Sequence, residues 1–178
     1  MPMPIAHGLL GASIVAAVHP RPERYYGLPL LAGAVLANMP DLDFIIVFVV
    51  GSRGWHRTFS HSLLMAAMVG MFFVLVLGRK RWREATAYTL AFASHGLLDF
   101  ATTVKGGGVE LFWPVWTERL KLNLIGLSEI PSQHPPWVLL KFVVVELLVF
   151  TPLLLTTLGL RYLWSRRNRH RNPSELLF

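Results

Sequence analysis

The chain alternates long apolar stretches with short polar ones. Five apolar segments stand out, at 5–18, 28–50, 61–78, 84–104 and 137–164, and each is read as a helix. The first is short, about 21 Å as a helix against a hydrocarbon core of ~30 Å. No Lys or Arg precedes it and no small-x-small cleavage pattern stands before His19-Pro20, so it is read as part of the fold and not as a cleaved signal. The second is interrupted by Asn38-Met39-Pro40-Asp41-Leu42-Asp43. Pro40 removes a backbone donor there, which predicts a kink or local unwinding near mid-membrane. Irregular backbone survives at that depth only against protein or a wet cavity. The stretch 105–136 is the main extramembrane piece.

Composition fixes the solvent. With 53% hydrophobic residues against 15% charged and a mean hydropathy of +0.48, the chain is too apolar for a water-soluble domain of 178 residues. The reading is an all-α, polytopic membrane bundle over residues 1–164, with a basic cytoplasmic tail at 165–178. The net charge of +7 does not point to nucleic acid, because the bases sit at the ends of apolar runs, where membrane orientation requires them. Eleven Lys and Arg fall in the 19–27 loop, the 79–83 turn and the segment from Arg161 onward, against five in the other connections. That bias predicts the N-terminus outside and the C-terminus inside.

Several residues are costly in this setting. An Asp at the bilayer centre costs about 2.5 to 3.5 kcal/mol even on insertion scales. Yet His7, Asp41, Asp43, His56, His61, His95 and Asp99 lie in or against the apolar segments. Helical rise puts Asp41 about 20 Å, and His95 and Asp99 about 17 and 23 Å, from the cytoplasmic ends of their segments, so all seven converge on the outer half. His95 and Asp99 are four apart, on one helix face. Asp41 and Asp43 are two apart, so either the Pro40 break reorients one of them or only one faces the site. With no cysteine in the chain, a metal here must use imidazole and carboxylate, a ligand set suited to Zn²⁺, with Mn²⁺ or Fe²⁺ as alternatives. His19, His134 and His170 lie in basic or extramembrane stretches and are read as solvated or near headgroups, His134 being a late ligand at most. Glu146 and Lys141 are read as a pair within the last helix.

The motifs Pro4-Ile5-Ala6-His7-Gly8, Met39-Pro40-Asp41-Leu42-Asp43, His56-Arg57-Thr58-Phe59-Ser60-His61-Ser62, Ser94-His95-Gly96-Leu97-Leu98-Asp99 and Phe112-Trp113-Pro114 follow one another in an order that resembles the membrane-bound metal-dependent hydrolases of bacteria and archaea, inner-membrane proteins of which some are LexA-regulated. The resemblance covers residues 4 to about 116 and implies a metal-dependent hydrolase. A more distant similarity is to the zinc-dependent phospholipase C and single-strand nuclease superfamily, whose metals are held by an early His, an Asp, another His and a His-x-x-x-Asp pair. No second His cluster follows Asp99, so one or two ions are expected in place of three.

Together the ligand chemistry and the resemblance predict a metal-activated water acting on a membrane lipid or lipid-linked phosphoester near the outer leaflet. Asp41 or Asp43 would accept the proton, Arg57 or Arg53 would hold the phosphate, and Trp113 lies in a Gly-rich, aromatic loop (106–116) suited to lipid contact. Two rivals remain: a zinc-dependent lipid amidase of the ceramidase type, with Ser60, Ser62 or Ser94 steadying the oxyanion, and a non-enzymatic metal-binding transporter or sensor. The second should show inverted repeats or polar residues continuing to the inner face, and neither is visible.

Overall fold

The computed structural model describes residues 2–20, 27–104, 107–124 and 135–171. It is helical, and an antiparallel bridge between Val109 and Leu120 is the one extended pairing among the described residues. The helices are α1 (Pro4–Val18), α2 (Gly27–Leu36), α3 (Phe44–Val50), α4 (Leu63–Leu77), α5 (Trp82–Thr102) and α6 (Pro136–Arg171). Short 3-10 turns, Met39–Asp43, Arg53–Trp55, Phe59–His61 and Arg79–Arg81, join them. His134 and Gly106 lie outside the described residues, as do the side chain of His170 and the chain beyond Arg171.

α1 is the central helix and packs on α2, α5 and α6. Small residues make this approach available: Gly8, Gly11, Ala12 and Ala16 are buried on α1. A Cβ on Gly11 would collide with the Gly33 carbonyl of α2, and one on Gly33 with Val15. In lipid, where helices gain nothing from leaving water, close backbone contact of this kind supplies the van der Waals attraction that holds a pair. The outer surface has the opposite character. Phe48 (90% exposed), Leu75, Leu148 and Leu163 face outward, while the fully buried side chains include His7, His19, His95, Asp99 and Glu146. Large apolar groups outside and small or polar groups inside suit a hydrocarbon solvent and would be unstable in water.

All five expected apolar segments form helices, but fewer qualify as spans. Among the described residues, α6 alone, over Trp137–Arg167, is long and apolar enough to cross a bilayer. Two bent pairs, Gly27–Leu36 with Met39–Val50 (43°) and Arg53–His61 with Leu63–Leu77 (50°), raise the number to three at most, below the five expected. The reasons are physical. α1 has 15 residues, about 22 Å, and α5 carries Arg83, Glu84, His95 and Asp99, too many polar groups for a free-standing span.

Two further expectations are corrected. Glu146 does not pair with Lys141, which is exposed; it is buried and reaches α1, accepting from the backbone N–H groups of Met3 (2.5 Å) and Ala6 (3.1 Å). His19 is not solvated but fully buried, its Nε2 3.4 Å from Glu84 Oε2 and 3.4 Å from the Tyr88 hydroxyl. At the same end Arg161 donates to the carbonyls of Ala16 (3.1 Å), Ala17 (2.9 Å) and His19. α6 therefore supplies an acid to the N-terminus of α1 and a base to its C-terminus. These are the orphan donors and acceptors of a helix, matched in sign to its dipole. Glu146 and Arg161 are about 22 Å apart along α6, the length of α1, so the two helices run parallel.

Removing the acid should loosen α1. Glu146→Ala is expected to lower stability by about 1–3 kcal/mol, and Glu146→Gln by less, in thermal unfolding of the detergent-solubilised protein. An unchanged midpoint in the alanine variant would show that the cap contributes nothing.

Candidate metal centre

The seven residues singled out in the sequence meet at one end of α1 and α5. His7 sits one turn into α1, and His95 and Asp99 share one face of α5. Asp41 and Asp43 come from the 3-10 turn Met39–Asp43, which carries Pro40 near its start. His56 and His61 come from the irregular stretch between α3 and α4. Gly96 lets that stretch reach α5, since a Cβ there would collide with the His61 carbonyl.

Hydrogen bonds fix which imidazole nitrogens carry protons. The Ala37 carbonyl can only accept, so the 2.7 Å contact to His95 Nδ1 assigns the proton to Nδ1. In neutral His95 the Nε2 is then a bare lone pair. Ser60 Oγ donates its single hydrogen to Asp43 Oδ2 at 2.7 Å, so it must accept from His61 Nδ1 at 2.9 Å. His61 Nε2 is bare by the same logic. His56 Nδ1 donates to Asp43 Oδ1 at 2.8 Å. Asp43 thus orients two imidazoles, one directly and one through Ser60, and also accepts from the Arg57 backbone N–H at 3.1 Å. Both its oxygens are engaged behind the rings, as outer-shell carboxylates of metal-bound histidines are.

Asp41 behaves differently. In a 3-10 turn, residues two apart do not share a face, so Asp41 points where Asp43 does not. Its Oδ1 lies 3.3 Å from His95 Nε2 and 3.6 Å from His61 Nε2. Asp99 Oδ1 is 3.5 Å from His7 Nε2, and Asp99 Oδ2 is 3.8 Å from His61 Nε2. None of these contacts has hydrogen-bond geometry: His7 Nε2, His61 Nε2, His95 Nε2, Asp41 Oδ1 and both Asp99 oxygens are buried without a hydrogen-bond partner. Among the described residues, two groups of three have ligand atoms within 4.8 Å of one another, His7-His95-Asp99 and Asp41-His56-His61. The first is buried, and the second opens outward through Asp41 and His56.

Buried acceptors facing acceptors are costly unless a cation lies among them. Protons on the imidazoles serve poorly, because the rings of His7 and His95 stack with centroids 3.8 Å apart and two imidazolium ions there would repel. The donor set, imidazole and carboxylate with orientated outer-shell partners, fits a divalent metal.

Of the proposed substrate contacts, Arg57 is at the cluster, with Nε 3.3 Å from Asp99 Oδ2. Its backbone is left-handed (φ 64°), a conformation costing about 1–3 kcal/mol outside glycine. It is held on both sides, its N–H by Asp43 and its carbonyl by the Glu110 N–H at 3.0 Å. Arg53 is exposed on its turn, and Trp113 packs on Phe59 with centroids 6.1 Å apart, beside the cluster and not in it. The loop carrying Trp113 is fastened to the histidine stretch. Arg119 donates to the carbonyls of Gly54 (2.8 Å) and His56 (3.1 Å) and pairs with Glu110 at 3.3 Å.

Helices with an apolar exterior and a polar buried cluster define a helical membrane protein with an interior rich in metal-ligand residue types. The chain belongs to the YdjM inner membrane protein family, whose profile matches residues 1–170. Over 98 residues it is 38% identical to the inner membrane protein YbcI of Escherichia coli (strain K12). That alignment covers 51% of this chain and 56% of YbcI, so the match spans about half of each. No solved structure matches.

The close approach at Gly96 carries a prediction. Gly96→Ala should cost about 1–3 kcal/mol by pushing the His61 turn off α5. Gly159→Ala in α6, where nothing lies near, should be neutral or gain up to about 1 kcal/mol. Equal thermal midpoints for the two variants would contradict the packing.

Proposed function

We propose that this protein is a membrane-embedded metal-dependent hydrolase acting on a lipid or lipid-linked phosphoester, with zinc as the preferred ion. The reading rests on one observation: six buried polar atoms from five residues of the cluster, His7, Asp41, His61, His95 and Asp99, converge without a hydrogen-bond partner. Two neighbouring ligand groups leave room for one or two ions, and Mn²⁺ or Fe²⁺ are the alternatives to zinc. The bases at 79–83 and beyond Arg161 lie at the opposite end of the bundle, which favours a cluster beneath the outer leaflet.

A bound divalent cation would lower the pKa of a coordinated water toward about 7 and so supply a nucleophile at neutral pH. The protein supplies the rest. Asp41 stands at the cluster's partly exposed side and takes the proton released there, while Asp43, with both oxygens engaged, keeps His56 and His61 aimed inward. Arg57 offsets the charge that develops on the phosphate. Arg53 and Trp113, at greater distance, are left to headgroup and interface contact. A phosphoester is favoured over an amide because Ser60, Ser62 and Ser94 already give their hydroxyl hydrogens to Asp43 and to the carbonyls of Phe59 and Ala91. None is left as an oxyanion donor.

Metal analysis of the purified protein should find zinc in wild type and little in His95→Ala or Asp99→Ala. Ser60→Ala should retain the fold with metal affinity lowered about 10–100-fold. A chelator should abolish cleavage of phosphodiester lipids. Wild type without metal, or zinc that survives both alanine substitutions, would overturn the reading.

A further inference from the structure

Between α2 and α4 runs an apolar groove of about 380 Å³. Leu28, Ala32, Val35 and Leu36 of α2 form one wall, Phe73 of α4 faces them, and Tyr88 of α5 contributes the single polar group. Its volume is within the roughly 300–1,000 Å³ of small-ligand sites. Leu28 (73% exposed) and Val35 (55%) open it sideways, toward the surface where the neighbouring Leu31, Phe72 and Leu75 also face outward. That surface is the one lipid covers.

The groove has a direction. One end is Leu36, next to Ala37, whose carbonyl holds His95 Nδ1 at 2.7 Å. Four residues further along the same stretch is Asp41. Tyr88 lies about 10 Å from His95 along α5, away from the cluster, and Leu28 about 12 Å from Leu36 along α2. A 12 Å trough matches most of the ~15 Å that the chains of one leaflet occupy. Its long axis therefore leads from the cluster into the hydrocarbon.

We propose that this groove is the acyl-chain subsite of the hydrolase: one chain of a glycerophospholipid lies between α2 and α4 with its phosphate at the histidine and aspartate cluster. The assignment rests on the hydrolase reading for the phosphate but not for the chain. A methylene buried there gains little relative to one left in lipid, so the groove orients and selects more than it binds. Short-chain and long-chain substrates should differ in positioning of the scissile bond, which is where such an arrangement acts.

The test uses the full chain in nanodiscs of phosphatidylglycerol and phosphatidylcholine containing photoactivatable phosphatidylglycerol with a diazirine at either end of one acyl chain. The label near the headgroup should cross-link to Val35 and Leu36, and the label near the chain terminus to Leu28 and Phe73. Ala32→Trp should reduce both yields at least fivefold, with Phe73→Ala as a second variant that widens the groove and blurs the register. Cross-links spread evenly over α6, or the reverse order of labels, would overturn the proposal. Hydrolysis is scored separately. Positional cross-linking without any turnover would leave the chain site standing and remove the hydrolase, whereas turnover with unordered cross-links would do the opposite.

Discussion

Acceptors cannot be packed against acceptors in a medium that excludes water unless positive charge lies between them. That constraint governs the end of the bundle where the histidines and aspartates meet. His61, His95, Asp41 and Asp99 turn unpartnered nitrogens and oxygens toward one another and toward His7, and the groups behind His61 and His95 are arranged so that they do so. Ala37 holds His95, Ser60 holds His61 and Asp43 holds His56, each by taking the Nδ1 proton or relaying it. An arrangement meant only to bury histidines would satisfy both nitrogens of each ring. Here His61 and His95 are satisfied at Nδ1 and left open at Nε2, and neither nitrogen of His7 has a partner.

The rest of the fold delivers these groups to one place. α1 carries a single ligand-type residue, His7, and holds it centrally through glycine and alanine contacts and through the two ends of its dipole, both met by α6. Glu146 is one turn from the cluster end of α1, so the capping contact and the position of His7 are coupled through a rigid element. A carboxylate buried in the longest apolar helix is costly, and its placement at a helix N-terminus offsets that cost with two charge-assisted hydrogen bonds.

What the sequence revealed and what it hid divide along one line. Hydropathy located every helix, and the i, i+4 spacing of His95 and Asp99 placed both on one face, because both signals depend only on regular geometry. The separate roles of Asp41 and Asp43 depend on a 3-10 turn whose phase no helical wheel describes. Glu146 was hidden because its partners are backbone N–H groups 140 and 143 residues away in sequence, invisible to a search for opposite charges. His19 was hidden by neighbouring arginines that read as headgroup contacts. The number of spans was too high because α5 looks like a span by length, yet its polar face is stable only inside the bundle. The YdjM family assignment agrees with an inner-membrane location and leaves the chemistry to the cluster itself.

The irregular backbone around the cluster follows from the same constraint. Continuous helices would have consumed the N–H and C=O groups that now steer the side chains. By breaking at Pro40 and passing through turns at 53–61, the chain frees the Ala37 carbonyl for His95 and the Arg57 N–H for Asp43, and it holds Arg57 in a left-handed conformation beside Asp99. Such a segment could not face lipid. It is covered on its far side by the loop that Arg119 and the Leu63 to Leu111 hydrogen bond fasten down. The polar interior, the broken helices and the fastened loop are therefore one device, in which backbone irregularity is tolerated because it serves to aim imidazoles.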